Sequence, residues 1–114
     1  MNENIEHRVA SVNSASEFDS VVSSEVPTLV DFWAEWCPPC RVLGPMLERL
    51  APEVAPHATL VKVDVDAVPD LAARFQIRGI PTMVILKSGR EVDRMVGLVP
   101  VEEITRRLLA ARSL

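Results

Sequence analysis

A single α/β domain is predicted from three observations. Valine-rich stretches of strand length alternate with amphipathic helical stretches, no repeat or low-complexity segment interrupts them, and 114 residues suffice for one packed core. Residues 1–7 read as a polar N-terminal extension of that domain.

The first strand is expected over Arg8 to Val12. A helix follows near Ser16 to Glu25, because Ser14 and Glu17 have the spacing of a capping box and Phe18, Val21 and Val22 fall on one face. Thr28 to Ala34 is an apolar run suited to a strand covered on both sides. A long helix begins after Cys37, since Pro38 and Pro39 fit a first turn whose N–H groups have no helical partner. Leu43, Met46, Leu47, Leu50 and Val54 give that helix its apolar face. Pro45 should bend it, and Pro52 either bends it again or ends it near residue 51. Thr59 to Asp64 is the next strand, and a short helix after Pro69 carries Leu71, Ala72 and Phe75. Thr82 to Lys87 and Glu91 to Val96 form two strands joined by a hairpin turn at Ser88-Gly89-Arg90. The last helix begins near Pro100 with Val101, Ile104, Leu108 and Ala111 on one face. Its Arg106, Arg107 and Arg112 lie toward the C-terminal end, where cations suit the helix dipole.

A composition of 48% hydrophobic and 25% charged residues is that of an ordinary soluble globular domain. The net charge of -4 and a pI near 5.1 remove the basic surface that binds phosphate backbones, so no nucleic-acid role is expected. No apolar run is long enough to span a bilayer, and the polar start Met1 to Arg8 does not resemble a signal peptide. The expected location is therefore the reducing cytoplasm, where a close cysteine pair is more often catalytic or metal-binding than structural.

Cys37 and Cys40 are the only cysteines and stand two residues apart, between a strand and a helix. A thiolate that attacks a disulfide forms a mixed disulfide, which a second nearby thiol resolves. The start of a helix favours the thiolate through its unpaired N–H groups and positive dipole end. Asp31 sits within Leu29, Val30, Phe32 and Trp33, so burial should raise its pKa. Such a carboxylate can accept a proton from Cys40, and Lys62, flanked by Val61 and Val63, is a candidate partner that would moderate the shift. Two cysteines with the scattered His7 and His57 make a poor zinc set, and no metal is expected.

The segment Val30 to Arg41, with Trp33, Trp36 and the Cys-Pro-Pro-Cys pair, together with Lys62, the run Ile77 to Thr82, Gly89 and Gly97, closely resembles the thioredoxin family. The resemblance runs from about residue 8 to the C-terminus. It implies a thioredoxin fold, a central five-stranded mixed sheet flanked by four helices, with the dithiol at the N-terminus of the second helix.

By this resemblance Cys37 is the more exposed nucleophile and Cys40 the buried resolving thiol, the two forming the redox disulfide. Asp31 is the proton acceptor for Cys40, and Pro38, Pro39, Arg41 and Lys62 tune the couple. The resemblance implies a cis Ile80-Pro81 bond facing the dithiol, with main-chain groups offered to an extended substrate. Trp36, Pro39, Gly79, Ile80, Pro81, Gly97 and Leu98 form the substrate-binding region, while Trp33 packs beneath the active-site loop. Pro38 departs from the family, in which glycine is usual at this place. It deletes an N–H near the Cys37 sulfur, so a weaker thiolate stabilisation and a somewhat more reducing couple are expected.

The implied function is a protein-disulfide reductase that takes part in electron transport and cell redox homeostasis. It acts as a monomer on disulfide-containing proteins, binds no cofactor, and receives electrons from NADPH through thioredoxin reductase. A redox-dependent binding module and a periplasmic-type thiol reductase for cytochrome maturation are the alternatives; the latter would require a signal or anchor.

Overall fold

The computed structural model describes residues 8–114; the expected polar extension, with His7, lies outside the described residues. The strands are β1 (Ala10–Ser11), β2 (Thr28–Trp33), β3 (Thr59–Asp64), β4 (Thr82–Lys87) and β5 (Arg90–Val96). The helices are α1 (Ala15–Val22), α2 (Pro38–Val54), α3 (Pro69–Arg74) and α4 (Val101–Ala110), with a 3-10 turn over Ala111–Ser113. Together they form the expected thioredoxin fold, with one five-stranded sheet in the order β1-β3-β2-β4-β5. The β1, β3 and β2 strands run parallel, while β4 and β5 are antiparallel to their neighbours.

Alternation along the central strands assigns each residue to one face. Leu29, Met83 and Ile85 pack against Leu43, Leu47, Ile104 and Leu108, so α2 and α4 cover one side. Val30, Phe32, Val61 and Val84 pack with Phe18, Val22 and Leu71 beneath α1 and α3 on the other. With a side-chain period of two, Asp31 shares the face of Leu29, toward α2.

Several boundaries differ from those read in the sequence, and the choice left open at Pro52 is decided. The strand expected over Arg8 to Val12 pairs only at Ala10 and Ser11, with one further bond from Val12 N to Lys62 O. Beyond it the chain turns to place Ser14 as the α1 cap. Helix α1 stops at Val22 rather than near Glu25, because the carbonyls of Val22 and Ser24 accept bonds from Gly89 N and Ser88 N. Strand β5 begins at Arg90, one residue earlier than expected, since the turn consists of Ser88 and Gly89, both left-handed at φ 53 and 79. Such a pair matches the twist of a tight hairpin. Helix α2 continues through Pro52 to Val54. Pro52 removes one helical donor, but the buried Ala51 and Val54 on either side hold the last turn on the core.

Among the described residues, no helix is long and apolar enough to cross a membrane.

Candidate active site

Cys37 is the N-cap of α2 and has extended backbone angles (φ -98, ψ 107), while Pro38 and Pro39 occupy the first helical positions. Neither proline carries an N–H, so Cys40 N is the first helix donor to reach the Cys37 sulfur, at 3.3 Å. The two cysteines are joined as a disulfide with their Cα atoms 5.3 Å apart. Arg41, on the same turn, bonds Cys37 O through its backbone N at 3.2 Å, and its side chain is exposed.

The expected contrast in exposure between the cysteines is absent from this oxidised pair. Cys37 is 3% exposed and Cys40 2%. The segment before β4 closes over Cys37, with the Ile80 carbonyl oxygen 3.6 Å from its sulfur. Ile80-Pro81 is cis, as expected, and a second cis bond at Ala55-Pro56 was not anticipated. Pro81 is itself buried, and its carbonyl accepts a bond from Gly97 N at 2.7 Å. It therefore adds no open surface, and its carbonyl ties Gly97 to the segment whose Ile80 carbonyl meets Cys37.

Around this point lie exposed Trp36, Pro39, Gly79 and Leu98, with Ile80 and Gly97 half-buried. Trp36 is 67% exposed, and Val96, read in the sequence only as a strand end, is a further exposed apolar side chain at 65%, two residues before Leu98. The Trp36 indole N–H donates to Asp66 Oδ2 at 2.8 Å, which fixes the ring. Asp66 was also missed by sequence reasoning. It lies 30 residues further on, and only the parallel register of β2 and β3 carries the loop after β3 to Trp36.

Asp31 is 2% exposed, and its Oδ1 has no hydrogen-bond partner among the described residues. Burial pushes its pKa from 3.8 to about 7, with the positive charge of Lys62 opposing part of that rise. Lys62 is its register neighbour on β3. Its ammonium sits 5.1 Å from the centre of the Trp33 ring and makes no bond to Asp31 Oδ1. Trp33 is half-buried and packs against the Lys62 side chain. His57 is exposed, and among the described residues no three His, Cys, Asp or Glu side chains converge to hold a metal ion.

This arrangement can perform thiol–disulfide exchange. It has a closed pair of cysteines at a helix N-terminus, an open apolar rim and a buried carboxylate that titrates near neutrality.

Comparison with known proteins agrees. The family model for thioredoxin matches residues 9–110. A thioredoxin of Porphyra purpurea is 44% identical over 92 residues, covering 81% of this chain and 86% of that protein. A bifunctional thioredoxin reductase/thioredoxin of Mycobacterium leprae is 48% identical over 86 residues, covering 75% of this chain and 19% of its own length. The solved structure of a mutant thioredoxin from Halobacterium salinarum superposes with a TM-score of 0.87 at 33% identity, covering 96% of this chain and 95% of that one. With a family model matched over most of the chain, relatives 44% and 48% identical and a Cys37–Cys40 disulfide at a helix N-terminus, the chain belongs to the thioredoxin family of thiol–disulfide oxidoreductases.

Proposed function

We propose that this protein is a cytoplasmic, monomeric protein-disulfide reductase that works as one domain, with Cys37 as nucleophile, Cys40 as resolving thiol and Asp31 as proton acceptor. The observation that carries this reading is the placement of Cys37 as the cap of α2, its sulfur held by Cys40 N. That position offers a Cys37 thiolate the helix dipole and an N–H donor, which Cys40 inside the first turn lacks.

In the reduced protein the Cys37 thiolate attacks one sulfur of a substrate disulfide and expels the other as a thiolate, leaving a mixed disulfide. Asp31, ionised, takes the proton of Cys40. The Cys40 thiolate attacks the Cys37 sulfur, forms the Cys37–Cys40 bond and releases the second substrate thiolate. Two electrons have then passed to the substrate, and the two released thiolates take up protons from solvent.

The oxidised pair is returned to the dithiol by a thioredoxin reductase that draws on NADPH. The fused reductase of the M. leprae relative supports such a partner. The exposed rim of Trp36, Pro39, Gly79 and Leu98, with Ile80 and Gly97, suits docking of disulfide-containing proteins. No bound cofactor is needed.

Insulin reduction, followed as precipitation of the B chain, tests the reading. Turnover is expected with NADPH and thioredoxin reductase, and with dithiothreitol in their place. Inactivity with both electron sources would remove the reductase assignment. Activity with dithiothreitol alone would remove the NADPH-linked partner.

A further inference from the structure

The Asp31 side chain opens toward a recess of about 480 Å3 between β2, β3 and α2. Its lining includes Val9, Gly44, Pro45, Leu47 and the charged residues Glu48, Arg49 and Lys62. Among the described residues Asp31 Oδ1 is fully buried and unpartnered, so this side of the carboxyl meets no protein donor. Asp31 is flanked on β4 by the buried Met83 and on β3 by Lys62, and the turn of α2 above it carries the buried Leu43 and Leu47.

The gap in that apolar cover falls at Gly44. A Cβ built there meets no atom within 4 Å, so the helix wall is open where α2 passes over the carboxyl. Pro45 follows it without an N–H, and the charged groups facing the recess are Glu48 and Arg49 from α2 and Lys62 from β3.

We propose that this recess is the route by which the Asp31 carboxyl exchanges its proton with solvent, and that Gly44 is the positioning residue that keeps it open. The inference rests on the reductase reading and on Asp31 as proton acceptor. After Cys40 gives its proton to Asp31, the O–H bond of the carboxyl breaks toward water in the recess, and the carboxylate is restored for the next turnover. A larger side chain at residue 44 fills the recess, and a methyl group there meets no neighbouring atom within 4 Å.

The test uses full-length Gly44→Ala and Gly44→Leu, read by the rate of mixed-disulfide resolution and by titration of the Asp31 carboxyl in the oxidised protein by NMR. Gly44→Leu is expected to slow resolution about tenfold, within the range of a general-base contribution, and to shift the Asp31 titration upward. Gly44→Ala slows it less, about twofold by the same reasoning. Alkylation of Cys37 in the reduced protein follows the parent. In an Asp31→Asn background Gly44→Leu adds no further slowing, a coupling that a general packing defect would not show.

Parental resolution rates and an unmoved Asp31 titration in Gly44→Leu would overturn the proposal while leaving the reductase reading intact. An inactive parent would instead remove that reading. If Gly44→Leu does not fold, Gly44→Ala decides, because its methyl group fits the open space. Slowed resolution supports the route, and an unchanged rate overturns it.

Discussion

In the proposed mechanism, Asp31 and Pro38 are two positions at which a single side chain alters the chemistry. In the oxidised protein Asp31 loses its proton near pH 7, against 3.8 for an unperturbed carboxyl. Between those values the folded chain binds more protons than the unfolded one, so its stability falls as pH rises from about 4 to 7 and stays lower above. Asp31→Asn removes that penalty. Oxidised Asp31→Asn should resist urea by a few kcal/mol more than the parent at pH 8 and show little gain at pH 4. The same variant should slow mixed-disulfide resolution by about tenfold or more in stopped-flow traces and leave Cys37 alkylation less affected. Unchanged resolution would remove Asp31 from the mechanism. At Pro38 the prediction concerns the couple. With both Pro38 and Pro39 lacking an N–H, the Cys37 sulfur has Cys40 N as its helix donor. Pro38→Gly restores a donor, and equilibration with glutathione should show a potential about 30 mV more oxidising, the equivalent of 1.4 kcal/mol for two electrons. A more reducing variant would contradict this. Asp31 was legible because a carboxylate in an apolar strand stands out. Asp66 and Gly44 were not, since each gains its place only through the packing of β3 and α2.

The elements were legible where local chemistry decides them. Ser14 caps α1 by accepting from Glu17 N at 3.1 Å, as the capping-box spacing indicated. The return bond differs, because Glu17 Oε1 accepts from Asn13 N at 2.9 Å, one residue before the cap. Thermal or urea unfolding of Ser14→Ala should show a loss of about 1 kcal/mol. No loss would mean that α1 is held by Phe18 and Val22 alone. The hairpin at Ser88-Gly89 was equally readable, since glycine and a small polar residue admit left-handed angles. Boundaries set by tertiary contacts were not. The carbonyls of Val22 and Ser24 are taken by the distant turn at Ser88-Gly89, and Ala51 and Val54 hold α2 past Pro52. Propensity at a helix end cannot register either effect.

At the scale of the whole molecule, periodicity located every strand, but strand order is a property of pairing. The sequence order places β2 beside β4 and β3 only through the crossovers, and this puts Asp31 between Met83 and Lys62. The same arrangement brings Cys37, the α2 cap that follows β2, against Ile80 in the segment that precedes β4. The cis geometry of Ile80-Pro81 was permitted by its residues and implied by family resemblance rather than by local sequence. Alternation of residues along β2 then divides the molecule, with Phe32 and Val30 buried toward α1 and α3, and Leu29 and Asp31 toward α2. The central claim is that exchange begins at Cys37, the cap, and ends at Cys40, inside the first turn. Its most direct measurement is trapping of a mixed disulfide with insulin by the single variants Cys40→Ser and Cys37→Ser, each resolved by mass spectrometry under non-reducing conditions. Cys40→Ser should accumulate a covalent adduct through Cys37 while Cys37→Ser forms little; equal or greater trapping through Cys40 would contradict the assignment.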